Sequence, residues 1–408
     1  MSAVENRQQG RAVDPDAPGP LELLVVQPTP FCNINCSYCY LPDRQSTRRI
    51  TPETLERVFR WIFASGLVRR PFTLLWHAGE PLVLPVGFYE SAAEMLRRHN
   101  TAEVPVIQSF QTNATLIDPA WCAFLRRPDV HLGVSVDGPA FLHDRHRRTR
   151  QGRGTLDRVL RGIHLLHEHD VPFDVITVLT AESLDYPDEL FDFYQANGIT
   201  SVGFNVEEIE GPHLTSSLQR ADTPERFRRF LSRFLSLALS ADPPLMVREF
   251  EASASVVMSS RRCEPGGRIQ ENKPWAIVNV DCEGHFSTYS PELLGITSPS
   301  HGTFALGNVG TVSLESARTS ERFQRLEAEI ARGIDACRAT CAYFPFCGGG
   351  PPANKYFENG SFASTETVFC RLHKQVCVDV ALSILEQAAK REHTTDLTAP
   401  PTTERAPA

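Results

Sequence analysis

The 408-residue chain has no apolar run approaching the roughly 18–20 residues that a membrane-spanning helix requires. Its first residues carry Glu5, Asp14 and Asp16 and no apolar stretch, which argues against an export signal and predicts a cytoplasmic location. Basic residues are not in excess. Lys and Arg number 41 against 49 Asp and Glu, a net charge of −8, and no basic stripe is present, so a nucleic-acid partner gripped through its phosphates is not expected. There is no internal repeat beyond a βα alternation. Low complexity is confined to about residues 1–20 and 390–408, rich in Pro, Thr and charge, which predicts disordered tails. At 41% apolar and 22% charged residues, disorder of the whole chain is excluded.

Between the tails, six short apolar runs read as strands: Leu21 to Gln27, Phe72 to Ala78, Val104 to Thr112, His131 to Asp137, Phe173 to Thr180 and Ser201 to Val206. Helical patterns alternate with them. In Thr51 to Gly66, Thr51 can cap, Pro52 suits the first helical position, and Leu55, Val58, Phe59, Ile62 and Phe63 keep the helical period. Thr155 to His169 and Pro187 to Asn197 follow the same logic, and a longer helix after Thr223-Pro224 presents Phe227, Phe230, Leu231, Phe234 and Leu235 on one face. Strand-then-helix repetition predicts a parallel α/β sheet with helices outside, and six units fit an open, partial (β/α)6 TIM-like barrel over residues 21–245. A second domain is expected over 246–389, with a hairpin from Trp275 to Tyr289 turning at Glu283-Gly284 and a helix at roughly Val312 to Arg332.

Eleven cysteines, six of them in two tight groups, point to metal or redox chemistry in a reducing compartment. The first group, Cys32, Cys36 and Cys39, follows the first strand with C-x3-C-x2-C spacing, at the carboxyl end where parallel α/β folds place functional loops. Three thiolates leave one iron of a [4Fe–4S] cube open to an outside ligand, since such cubes are normally held by four Cys. Zinc completed by a distant ligand is the competing reading.

Cys32, Cys36, Tyr38 and Cys39 after a strand resemble the signature of the radical S-adenosylmethionine (SAM) superfamily. The resemblance implies that the three thiolates hold a [4Fe–4S] cluster, that SAM chelates the open iron, and that one electron cleaves SAM to a 5′-deoxyadenosyl radical. Ala78-Gly79-Glu80-Pro81 resembles the family's GGEP segment, implying SAM-ammonium contacts at Gly79 and Glu80. By the same resemblance Asn113, Ser135 and Arg147 serve the ribose and carboxylate of SAM, and Tyr38 neighbours its adenine. Trp76 and His77 receive no role.

The second group, Cys337, Cys341 and Cys347 followed by Gly348 to Gly350, is completed by Cys370, and four thiolates can saturate a cluster. This resembles a SPASM domain, the C-terminal Fe–S extension of peptide-modifying radical SAM enzymes. Seven cysteines and two auxiliary clusters are usual there. Here Pro351 stands where that family has a cysteine, and Ser287 and Thr288 lie near its hairpin cysteine, so one auxiliary [4Fe–4S] cluster on Cys337, Cys341, Cys347 and Cys370 is expected, with structural zinc as the alternative. Cys263 and Cys282 cannot fill a site alone, and Cys122 and Cys377 read as core thiols.

The segments around Cys32 and from Cys347 to Tyr356 resemble the cyclophane-forming peptide maturases of the GrrM/OscB group. That implies a precursor-peptide substrate, a C–C cross-link from a β-carbon to an aromatic ring, and an external electron donor such as flavodoxin or ferredoxin. A sulfatase-maturing oxidase and, outside enzymes, a zinc- or Fe–S-bearing binding module are the alternatives. Glu207, Glu208, Asp281 and Glu283 are available proton acceptors, each expected to be solvated, and the peptide is expected to add as a strand to an exposed sheet edge.

Overall fold

The computed structural model describes residues 19–258 and 268–396. The expected N-terminal tail up to residue 18, and Cys263, lie outside those residues. The six strands form with trimmed ends: β1 (Leu23–Val26), β2 (Phe72–Trp76), β3 (Val106–Thr112), β4 (Val130–Ser135), β5 (Asp174–Leu179) and β6 (Ser201–Val206). Each pairs with the next in parallel register, Val26 with Trp76, Trp76 with Phe110 and Thr112 with Val134. All six carboxyl ends therefore open on one side.

Around them lie α1 (Pro52–Ala64), α2 (Val86–His99), α3 (Pro119–Leu125), α4 (Ala140–His146), α5 (Leu156–Glu168), α6 (Pro187–Ala196) and α7 (Thr223–Ser240). Thr51 caps α1, its hydroxyl accepting from the Thr54 amide at 3.1 Å, and the helix buries Leu55, Val58, Phe59 and Ile62. Trp76 has its role in the core, where its ring meets Tyr89 edge-on at 5.1 Å within a set of buried aromatics.

The sheet does not stop at residue 245. β7 (Met246–Val247), leading into α8 (Arg248–Met258), extends it beside β6. Beyond the other edge, β8 (Ile277–Val280) runs parallel to β1, followed antiparallel by β9 (His285–Thr288). The short pair β10 (Thr297–Ser298) and β11 (Gly302–Thr303) stands apart, and β12 (Gly307–Asn308) completes a ten-stranded sheet whose outermost members, β12 and β7, are two residues long. The predicted hairpin is thus a continuation of the barrel sheet, and all four residues of β8 are buried because both its neighbours and both its faces are covered.

The helix expected at Val312 to Arg332 is two helices, α9 (Leu314–Arg318) and α10 (Glu321–Thr340), broken where Ser320 caps the second by accepting from the Phe323 amide at 3.2 Å. α10 continues past Arg332 to deliver Cys337. It is followed by α11 (Phe344–Cys347), α12 (Pro352–Asn359), a wider π-helical turn over Cys370–Val376 and α13 (Cys377–Asp396), which carries the chain helically beyond Lys390, where the tail is expected to start. The C-terminal helices are pinned to the barrel by buried Glu249 of α8. It accepts from the Phe204 amide at 2.9 Å and lies 3.5 Å from His373 Nε2, which in turn donates to the Phe204 carbonyl. Among the described residues no helix is long and apolar enough to cross a membrane.

Candidate active site and auxiliary cysteine site

The loop after β1 carries Cys32, Cys36 and Cys39 and is held in shape from outside. The strap after α4 supplies carbonyls to it, Asn35 N donating to Arg148 O at 2.7 Å and Ser37 N to His146 O at 3.1 Å. Two guanidinium groups occupy its own carbonyls, Arg150 on Cys32 O at 2.7 Å and Arg44 on Cys36 O at 2.9 Å. No disulfide joins the thiols, which are free. Burial pushes the Cys36 thiol up to about 11 and Cys32 higher still, so ionising these sulfurs at neutral pH would take a cation bound against them.

The loop after β2 needs Gly79. Its φ is +100°, and a Cβ there would lie 2.2 Å from the Thr29 carbonyl oxygen. Glu80 follows, 1% exposed, accepting from the Leu82 amide at 3.0 Å, the Thr112 hydroxyl at 2.6 Å and the Asn113 amide at 2.8 Å. It ties the end of β2 to the end of β3. Burial outweighs those bonds and raises its carboxyl to about 7. Asn113 donates from Nδ2 to Asn33 Oδ1 at 2.8 Å and towards Cys32 Sγ at 3.8 Å. Ser135 Oγ accepts from Gln111 Nε2 at 2.8 Å.

Arg147 is 6% exposed and forms a two-point ion pair with Asp137 at 2.9 and 3.0 Å, its guanidinium 5.5 Å above the Tyr38 ring. The Tyr38 hydroxyl also donates to Asp137. Burial alone would raise Asp137, but Arg147 overrides it and holds the carboxyl below the usual range.

All nine residues expected at the SAM and cluster site, Cys32, Cys36, Cys39, Tyr38, Gly79, Glu80, Asn113, Ser135 and Arg147, line one cavity of about 370 Å³. Sequence reasoning missed Asp137 as the partner that fixes Arg147 and Tyr38, although it lies inside the Ser135 to Pro139 segment. It also missed His77, Glu210 and Glu292, which line the same cavity. His77 Nε2 meets the Tyr40 hydroxyl at 3.0 Å, its Nδ1 is buried without a partner, and burial lowers the ring to about 4.

The solvated carboxylates divide. Asp281 and Glu283 sit at the hairpin turn, and Glu283 pairs with exposed Arg48 at 2.8 Å. Glu207 is instead 9% exposed and accepts from the Ser217 amide at 2.8 Å. Glu208 faces the cavity, where burial raises it, and Glu210 is raised further by burial and by Glu208 beside it. Burial brings Glu292 up to about 7. Two neighbouring carboxyls, Glu208 and Glu210, and the distant Glu292 therefore meet at the mouth of the barrel, each raised by burial.

The second group also converges. Cys337, Cys341, Cys347 and Cys370 line a cavity of about 310 Å³ with Gly349, Gly350, Pro351, Lys355, Lys374 and Gln375. Burial pushes Cys370 up to about 12 and raises Cys347 as well. Four soft thiols on one cavity beside close glycine backbone fit an iron–sulfur group, and no three of their sulfurs lie within the 4.8 Å of one another that a shared single ion such as zinc requires. Cys377 lies outside this cavity, its thiol directed to Leu372 O at 3.5 Å in the core, and Cys282 lines a different cavity beside Asp281 and Glu283.

A family profile described as Radical SAM superfamily matches residues 26–194. An uncharacterized protein of Synechocystis is 43% identical over 397 residues, covering 95% of this chain and 99% of its own length. The serine-type anaerobic sulfatase-maturating enzyme of Klebsiella aerogenes is 33% identical over 230 residues, 56% of this chain and 57% of that enzyme, so the match spans little more than half of the relative. Among solved structures, native anSMEcpe with bound AdoMet and Cp18Cys peptide superposes with a TM-score of 0.73 at 20% identity, covering 91% of this chain and 99% of the other. SuiB of Streptococcus suis bound to its precursor peptide SuiA gives 0.61 at 17% identity over 85% and 75%. The fold, the three-cysteine loop at the barrel mouth and the profile match lead to one conclusion: residues 26–194 are a radical SAM superfamily domain, with a [4Fe–4S] cluster and SAM as its cofactors.

Proposed function

We propose that this protein is a peptide maturase that joins a β-carbon of a precursor peptide to a nearby aromatic ring. α12 carries the reading. Asn354 bonds to Glu208 in the first cavity, while the adjacent Lys355 reaches Cys337 Sγ in the second at 3.4 Å, so one short helix couples the radical site to a four-thiol site. Cys32, Cys36 and Cys39 would hold the SAM-binding cluster, and Cys337, Cys341, Cys347 and Cys370 an auxiliary one.

Loaded with a cluster and SAM, the first site would supply the one-electron chemistry that removes a hydrogen atom from the peptide. The chain's own residues do the rest. Glu80 braces the strand ends, and Asp137 holds Arg147 and Tyr38 in place. A cross-link to a ring is a net loss of two hydrogens, so a proton must also leave, and the Glu208, Glu210 and Glu292 group stands at the cavity to receive it. The remaining electron needs an acceptor, for which the four-thiol site is suited.

The thiol count supports this reading over sulfatase maturation. On the hairpin Ser287 and Thr288 occupy β9, and the cavity beside Cys282 holds no other cysteine among the described residues. The sulfatase-maturating relatives favour the second reading, formation of formylglycine on a sulfatase. Co-expression with a candidate peptide followed by tandem mass spectrometry separates them. A cross-link gives loss of two hydrogens and suppressed fragmentation between the joined residues. An aldehyde captured by a hydrazide probe sinks the cross-link reading. An external reductant such as flavodoxin or ferredoxin and a cytoplasmic setting, where the free thiols stay reduced, belong to the same proposal.

A further inference from the structure

Lys355 is 4% exposed, and its Nζ has two neighbours, the Gly333 carbonyl at 3.0 Å and Cys337 Sγ at 3.4 Å. Among the described residues no carboxylate lies within ion-pair distance of it. A buried ammonium without a counter-ion is disfavoured, because it gives up its hydration and gains no compensating charge. The chain therefore places a cation where an anion is expected. Among the described residues the candidate against it is the Cys337 thiol and its group, and a thiolate-ligated iron–sulfur group is an anion whose charge grows on reduction.

Two further donors face the same cavity. Gln375 Nε2 points to Cys370 Sγ at 3.7 Å, and Lys374, with its Nζ 5.9 Å from the Phe369 ring centroid, lines the wall. At the first site the side chain directed at a ligand sulfur is the neutral Asn113 amide, 3.8 Å from Cys32 Sγ. Hydrogen bonds to sulfur and local charge are the levers by which a protein sets the potential of such a group.

We propose that Lys355 is a positioning residue of the auxiliary site, donating to Cys337 Sγ so that the iron–sulfur group held there is biased toward its reduced state. This rests on the four-thiol reading given above. The bias suits that site to take the one electron left after hydrogen-atom removal and ring attack: the peptide is oxidised, the auxiliary group is reduced, and the proton passes to the carboxyl group at the barrel mouth. Lys355 acts through Cys337 and touches no substrate.

The test uses full-length protein carrying Cys32→Ala, Cys36→Ala and Cys39→Ala, reconstituted anaerobically so that only the second site holds iron, and titrated with EPR detection. Lys355→Met is expected to lower the reduced-to-oxidised ratio at fixed ambient potential at least tenfold, which for a one-electron couple is about 59 mV. Lys355→Arg should stay within about threefold of the parent. Lys355→Gln, which keeps a donor and loses the charge, should fall between them. A Met or Gln variant with full iron and sulfide and a ratio within twofold of the parent overturns the proposal. Loss of iron from both variants with the far-UV spectrum intact also overturns it, assigning Lys355 to assembly and not to tuning. A parent that holds zinc, or no iron and sulfide, instead overturns the four-thiol iron–sulfur reading beneath it.

Discussion

Replacing Asp137 with Asn changes one atom and strikes the centre of the first site. The carboxylate accepts four hydrogen bonds, from Arg147 Nε at 2.9 Å, Arg147 Nη2 at 3.0 Å, the Val178 amide at 3.0 Å and the Tyr38 hydroxyl. That matches the roughly four acceptor positions of an ionised carboxylate. An amide keeps one acceptor oxygen and turns an NH2 toward a guanidinium that is itself almost fully buried. Breaking a buried pair from one side costs about 3–5 kcal/mol, because the surviving charge is left without compensation. Urea unfolding of anaerobic protein, followed by tryptophan fluorescence, should show Asp137→Asn less stable by that amount at neutral pH. The pH dependence has a definite sign. Asp137 titrates below its unfolded value of about 3.9, so its contribution is complete above that pH and is lost as the pH falls through the folded value. Parent and variant should therefore converge below about pH 4 and differ equally at pH 6 and 7.5. 5′-Deoxyadenosine release should fall with stability held by lower temperature, since Tyr38 and Arg147 lose their common anchor. A penalty under about 1 kcal/mol at pH 7 would refute the buried-charge reasoning.

Gly79→Ala sets a Cβ 2.2 Å from Thr29 O and 2.9 Å from Phe31 O at a φ of +100°, so a cost of at least about 1–3 kcal/mol and weakened SAM binding in equilibrium dialysis are expected. Because burial brings Glu292 to about 7, product formation should decline as the pH drops below that value, and Glu292→Gln should flatten this acid limb while lowering the rate about 10²–10⁴-fold. An unchanged pH–rate profile would remove Glu292 from the proton path. Alanine at Cys36 should halve an iron content of about eight per chain and abolish 5′-deoxyadenosine release, whereas alanine at Cys341 should halve the iron and leave that release intact. Cys377→Ala, a core substitution, should leave iron and sulfide unchanged and cost only stability.

The six-strand alternation, the capped helix after Thr51 and both cysteine groups were legible in the residues, because strand period, helix caps and ligand spacing are local properties that neighbours in sequence express directly. The convergence of the residues expected to bind SAM was legible for a related reason. In a parallel sheet every strand ends on the same side, so short motifs at successive strand ends must converge, and Gly79, Glu80, Asn113, Ser135 and Arg147 do so on one cavity. The break between α9 and α10 at Thr319-Ser320 was missed, since an amphipathic pattern runs through a serine that turns out to cap.

What the order of residues could not supply was any relation between distant segments. Glu208, Glu210 and Glu292 become buried, raised carboxyls only because the loop after β6 and the turn after β9 meet over the same cavity, and a carboxylate's solvation is a property of what surrounds it. The same holds for α12. Asn354 and Lys355 are unremarkable neighbours in a polar run until the fold presses one against Glu208 and the other against Cys337. Likewise the hairpin joins the barrel because β1 leaves an edge that apolar β8 can cover, a pairing across some 250 residues that no local signal encodes. Spacing thus determined which thiols could share a metal, and burial by remote segments determined which charges face them.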